Sequence, residues 1–123
     1  MQADYARITQ RAISANSVLS AALASAPALN TPFPTANALG DQLKMVARMI
    51  SGASAIGARR QVFFVSLGGF DTHDGLLTVH PGLLKSVADA LAAFYNATVE
   101  LGVQNQVTSF TASDFGRTLS GNN

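Results

Sequence analysis

Apolar side chains recur along this chain at helical spacing in three segments and as short runs in two others, and the pattern assigns each segment. Residues 5–25, YARITQRAISANSVLSAALAS, place Ile8, Ala12, Leu19 and Leu23 at three- and four-residue spacings among alanines, which predicts a helix. The following APALNTPFPTAN holds Pro27, Pro32 and Pro34, which remove backbone donors and forbid a regular helix, so it reads as a linker. Leu39, Leu43, Val46 and Ile50, spaced i, i+4, i+7 and i+11, predict a second helix that stops near Gly52 with Lys44 and Arg48 toward solvent. From Pro81 to Leu101 a helical period runs through Leu83, Leu84, Val87, Ala88, Leu91, Phe94, Tyr95 and Leu101. Proline suits a first helical position and Gly102 stands just past the end.

Two other runs lack the helical period and read as strands. VFFVSL, Val62 to Leu67, is β-branched, aromatic and apolar on both faces, as a strand covered by helices on both sides would be, and Gly68-Gly69 ends it. QVTSFTAS, Gln106 to Ser113, predicts another strand, ended by DFGRT. Strand, crossover helix and strand make a βαβ unit, whose two strands finish on the same edge of a parallel sheet. The expected fold is therefore α/β, a partial and mostly parallel sheet flanked by helices. Within one domain, residues 1–37 form a helix plus proline-rich linker and residues 38–123 a helix and the βαβ unit. Ligands of open α/β sheets bind outside the carboxyl ends of the strands, where GGFDTHD and SDFGR would meet.

Composition sharpens this picture. Of 123 residues only 12% are charged, about half the usual share, and 48% are hydrophobic. So little polar surface suits a piece of a larger protein, truncated at both ends, that needs the remainder of its own chain. Open sheet edges and uncovered apolar faces would then make it marginally soluble. The net charge is +1 and the eight lysines and arginines are scattered, Arg59-Arg60 being the one adjacent pair, which argues against nucleic acid as a partner. No window approaches the roughly 20 apolar residues of a membrane span, and MQADYARITQRA does not read as a signal peptide. Without cysteine there are no disulfides and no thiolate metal sites.

Charge is sparse, yet three of the seven acidic residues, Asp71, Asp74 and Asp114, fall in the two loops together with His73 and Arg117. Gathered at one edge, such charges repel and lose hydration unless something offsets them. A divalent cation would, since Asp and His are ligands of Zn²⁺, Mn²⁺ and Fe, and an open metal position polarises an oxyanion and acidifies a bound water. The plainer alternative is local: Asp71 and Thr72 form an Asx-turn, His73 bonds nearby, and Asp114 pairs with Arg117. His80, before Pro81, would serve the start of the helix. Ser66, Thr72 and Ser113 are candidate nucleophiles without a G-x-S-x-G context, and SLGG lacks the spacing and lysine of a phosphate-binding loop. Arg117 either clamps an anion or neutralises Asp114.

The segments LGDQLKMVARMI, RRQVFFVSLGGFDTHD, HPGLLKSVADALAAFY and VTSFTASDFGRTLSGN together resemble the domain of unknown function family 1501, over roughly residues 38–123 and more loosely before. That family is placed in the alkaline-phosphatase-like superfamily of metal-dependent phosphatases, sulfatases and phosphomutases. The resemblance implies Asp71, His73 and Asp114 as metal ligands, Asp114 standing where many members have glutamate. It implies Arg117 as the motif's arginine, and Phe70 stands where many relatives have tryptophan. Relatives continue past SGNN into a glycine-rich loop with an Asp-His-Gly motif, carry the nucleophile region earlier, and often begin with a twin-arginine export signal. The resulting expectation is a metal-dependent hydrolase of phosphate or sulfate esters, periplasmic or otherwise exported and inactive as this segment alone, with a small anionic ester as its substrate. Alternatively the chain is a non-catalytic exported binding or envelope-associated protein that keeps the fold.

Overall fold

Where the spacing is helical, the chain is helical. A computed structural model describes residues 2–116, with α1 at Gln2–Ser25, α2 at Ala38–Ser51 and α3 at Leu76–Glu100. The described residues of Met1–Ala28 with Arg48–Phe63 form one compact unit, and those of Leu29–Ala47 with Phe64–Asn123 a second.

In the first unit α1 is long, but its mixed spacing gathers no single apolar face. Tyr5, Ile8, Ile13 and Val18 are all exposed, and burial begins only at Ala22 in the last turns. Gly52 lies against this turn, where a Cβ would stand 3.4 Å from the Ala22 carbonyl oxygen, an ordinary contact. Past α2 the chain winds through a further turn closed by Gly57. The Ala58 N–H donates to the Ala53 carbonyl at 3.0 Å and the Gly57 N–H to that of Ser54 at 3.2 Å. This is a Schellman pair, and Gly57, at φ 66°, takes the left-handed conformation it requires.

The second unit has a core of Leu39, Leu43, Val46 and Ala47 from α2 and Ala90, Ala93, Phe94 and Ala97 from α3. Alanine at four of these eight positions leaves little side-chain bulk between helices. Asn37 caps α2 with its Oδ1, accepting the Gly40 N–H at 2.9 Å, and its Nδ2 donates to the Ser86 carbonyl of α3 at 2.8 Å. α3 begins at Leu76, before the expected Pro81, because Gly75 at φ 65° turns the chain into the helix and Pro81 is accommodated inside it. The proline cannot donate to the Leu77 carbonyl, and the loss falls on an exposed residue near the helix start. α3 ends at a second Schellman pair, Gly102 N–H to Val99 and Val103 N–H to Thr98, both 2.9 Å, with Gly102 at φ 70°.

The expected parallel sheet is not formed. Among the described residues there is no β-strand, so neither Val62–Leu67 nor Gln106–Ser113 is a strand, and the βαβ unit and its carboxyl edge are absent. The physical reason lies in the non-local character of a sheet. From Gln61 to Leu67 exposure alternates residue by residue, the mark of an extended backbone, with Val62 and Phe64 over nine-tenths exposed. β-propensity can extend a segment, but only a neighbour can pair it. At Ser66 a side chain takes the neighbour's place: Gln42 Oε1 accepts the Ser66 N–H at 3.1 Å and its Nε2 donates to the Ser66 carbonyl at 2.9 Å.

Candidate functional site

The loop between Leu67 and α3 owes its shape to its glycines and one buried residue. Gly69 takes a positive φ of 96° that favours glycine, beside Leu83 at ordinary contact distance. Thr72 is buried and its N–H donates to the Phe70 carbonyl at 3.0 Å. His80, expected to serve the helix start, lies within α3 and meets the Phe70 ring edge-to-face at 5.8 Å between centroids. With Phe70 and Thr72 inward, the intervening Asp71 and the following His73 turn to solvent.

These two meet there. His73 Nε2 lies 3.2 Å from Asp71 Oδ2, with side chains 78% and 51% exposed. Asp74 is exposed beside them. Asp114 is exposed in a bend where the Ser113 hydroxyl donates to the Phe115 carbonyl at 2.7 Å. It does not join the pair: among the described residues no three His, Cys, Asp or Glu side chains converge as a metal site would need. Arg117, and with it the Asp114–Arg117 pairing, lies outside the described residues. Of the candidate nucleophiles, Thr72 is buried and the Ser113 hydroxyl is engaged, while Ser66 is exposed.

The model of a family described as protein of unknown function (DUF1501) matches residues 4–123. The chain belongs to this family. No curated protein and no solved structure matches it. Both GGFDTHD and SDFGR lie inside the span matched to DUF1501. No helix among the described residues is long and apolar enough to cross a membrane.

Away from the loop, α3 and the chain after it enclose an open groove of about 270 Å³ lined by Leu91, Phe94, Tyr95, Thr98, Val107 and Ser109. It contains none of the predicted site residues. Three polar residues that organise this unit escaped the reading of the sequence: Asn37, Gln42 and Glu100. Asn37 carried a usable signal, an Asn directly before an apolar-periodic run. Gln42 and Glu100 carried none, because their partners are remote in sequence. Glu100 Oε1 accepts from the Asn30 N–H at 2.7 Å and Nδ2 at 3.0 Å, and its Oε2 accepts from the Thr31 N–H at 2.8 Å and the Thr31 hydroxyl. The hydroxyl of Thr31 and the peptide N–H groups of Asn30 and Thr31 lower the Glu100 carboxyl to about 2.

Proposed function

We propose that this DUF1501 chain is part of an exported, alkaline-phosphatase-like hydrolase of phosphate or sulfate esters. Asp71, His73 and Asp114 would hold a divalent cation such as Zn²⁺ or Mn²⁺, and Arg117 would bind the anionic ester. The observation that supports this reading is the approach of Asp71 Oδ2 and His73 Nε2 to 3.2 Å on an exposed loop. Two donor atoms of the right kinds already stand where one cation could touch both, but structural and catalytic sites take three or more protein ligands. The described residues supply two, so the fit is partial and the rest of the protein has to complete it. When bound, such a cation would polarise the ester oxygen and acidify a water.

One observation favours a second reading, a non-catalytic exported binding protein: Asp71 and His73 satisfy each other without a cation. Metal analysis of the whole protein, purified without chelators, separates the readings when wild type is compared with His73→Ala. Near-stoichiometric metal that falls in the variant, with turnover of phosphate or sulfate esters, is the expected result. A folded wild type that takes up no metal after reconstitution overturns the hydrolase reading.

A further inference from the structure

The segment from Leu29 to Asn37 is fastened to α3 at two points. Asn37 Nδ2 holds the Ser86 carbonyl, and Asn30 and Thr31 hold the Glu100 carboxylate with four donors. From Ser86 to Glu100 the helix rises about 21 Å. The seven residue steps from Asn30 to Asn37 reach about 23 Å when extended. The segment therefore runs along α3 as a strap tied at both ends, bent at Thr31 and turned at 35–36, and stiffened by Pro32 and Pro34, whose ring packs on Gly40.

Its Glu100 end breaks a local rule. A carboxylate in the last turn of a helix meets the negative end of the helix dipole, and α3 has no basic residue there to offset it. Two consecutive peptide N–H groups with two side-chain donors make the compensation, an oxyanion cradle occupied by the chain's own glutamate. We propose that Glu100 with Asn30 and Thr31 is a clasp that opens when the carboxylate is protonated, releasing the Leu29 end of the strap from α3 while the Asn37 end stays fastened. Protonation sets a hydrogen on one carboxyl oxygen, which then meets donors with a donor, and removes the charge that strengthens the bonds to the other, so all four contacts weaken.

The sign follows from the cradle. Glu100 lies below the ordinary carboxylate value, lowered from 4.5 to about 2, so its contribution is complete above pH 4.5 and is lost as the pH falls toward 2. The strap and residues 101–113 carry no titratable side chain. α2 carries Asp41, Lys44 and Arg48, and α3 carries His80, the Lys85–Asp89 pair and Tyr95. None of these charges is among the causes of the Glu100 shift, so the opening belongs to one group.

Amide hydrogen exchange on the intact chain tests this, with Glu100→Gln as the neutral isostere whose amide offers a donor to Thr31 where an acceptor was. At neutral pH the Asn30 and Thr31 amides should exchange on the order of tenfold faster than in wild type, the scale of one charge-assisted hydrogen bond at a solvated site. Leu43 and Phe94 should keep their protection. In wild type, the Asn30 and Thr31 amide shifts should titrate together with the Glu100 carboxyl carbon below its ordinary midpoint. Unchanged exchange at both amides, equal loss of protection at Leu43 and Phe94, or amide shifts that ignore the Glu100 titration would each overturn the clasp.

Discussion

Asn37 is 7% exposed and works in two directions, which makes its substitutions diagnostic. Its Oδ1 caps α2 at Gly40 and its Nδ2 crosses to Ser86 on α3. Truncation to alanine removes a helix cap, about 1 kcal/mol, and one cross-helix hydrogen bond, about 1 kcal/mol. The Gly40 N–H, on a buried residue, is left without the cap's oxygen, while the Ser86 carbonyl keeps its helical donor. The expected loss is about 2 kcal/mol, a large share of the 5–15 kcal/mol typical of a domain, and a fall in Tm of about 8 °C. Asn37→Ser retains a capping oxygen but cannot reach Ser86, so it should lose about 1 kcal/mol. Asn37→Asp decides the matter. Aspartate is as good a cap as asparagine and suits the helix dipole, but it turns an oxygen toward the Ser86 carbonyl where a donor stood. It should therefore be at least as damaging as alanine. Thermal and urea unfolding followed by far-UV circular dichroism would rank the four proteins. Asn37→Asp as stable as wild type would refute the two-way role and reduce Asn37 to a cap.

Other consequences are simpler. Ala36 sits at φ 54° without being glycine, so Ala36→Gly should raise stability by about 0.5 to 1 kcal/mol, net of the extra freedom of the unfolded chain; a loss in urea melts would contradict the strain. Gly102→Ala should cost about 1 kcal/mol through its left-handed φ, whereas Gly52→Ala, whose new methyl meets Ala22 at ordinary contact distances, should change the melting curve little. Val62→Lys with Phe64→Lys should leave the unfolding midpoint within about 0.5 kcal/mol, since both side chains are exposed. The same pair should lower self-association measured by light scattering at matched concentration, and an unfolded double variant would show that these side chains pack after all.

The legible parts of this fold are those in which local signals agree with one another. α2 was expected from Leu39 to Ile50 with a stop near Gly52, and it runs from Ala38 to Ser51, because propensity, period and terminator coincide. Gly102 foretold the end of α3 because only a left-handed residue completes its Schellman pair. Its start lies upstream of the expected Pro81, because Gly75 already turns the chain and Pro81, fit for a first turn, costs only one helical bond near an exposed end. Extension of Val62–Leu67 was legible and pairing was not, since the first is local and the second needs a partner. The same division runs through the polar residues. Asp71 and His73, two apart, could be read as neighbours. Glu100 could not be matched to an asparagine 70 positions away, and by local rules it was a poorly placed surface charge.

The concentration of charge in GGFDTHDG looks different once exposure is known. Carboxylates crowded at a water-poor sheet edge would pay a desolvation penalty that only a cation or a counter-charge could offset. Here there is no sheet edge. The Asp71 and His73 side chains stand half or more exposed and lean on each other, and at such exposure water screens repulsion so well that ion pairs are worth little either way. Charge density in the loop therefore demands no cation, and its cost to folding is small. What continues to point to chemistry is the identity and order of the groups: a carboxylate and an imidazole brought to 3.2 Å by a buried threonine between them. If Thr72→Ala, which keeps the burial and removes the hydroxyl, left metal uptake and stability alike unchanged, the anchoring would come from the backbone and its glycines. If Thr72→Lys, which forces the residue outward, abolished uptake while α2 and α3 stayed folded, the inward threonine would be what aims the pair.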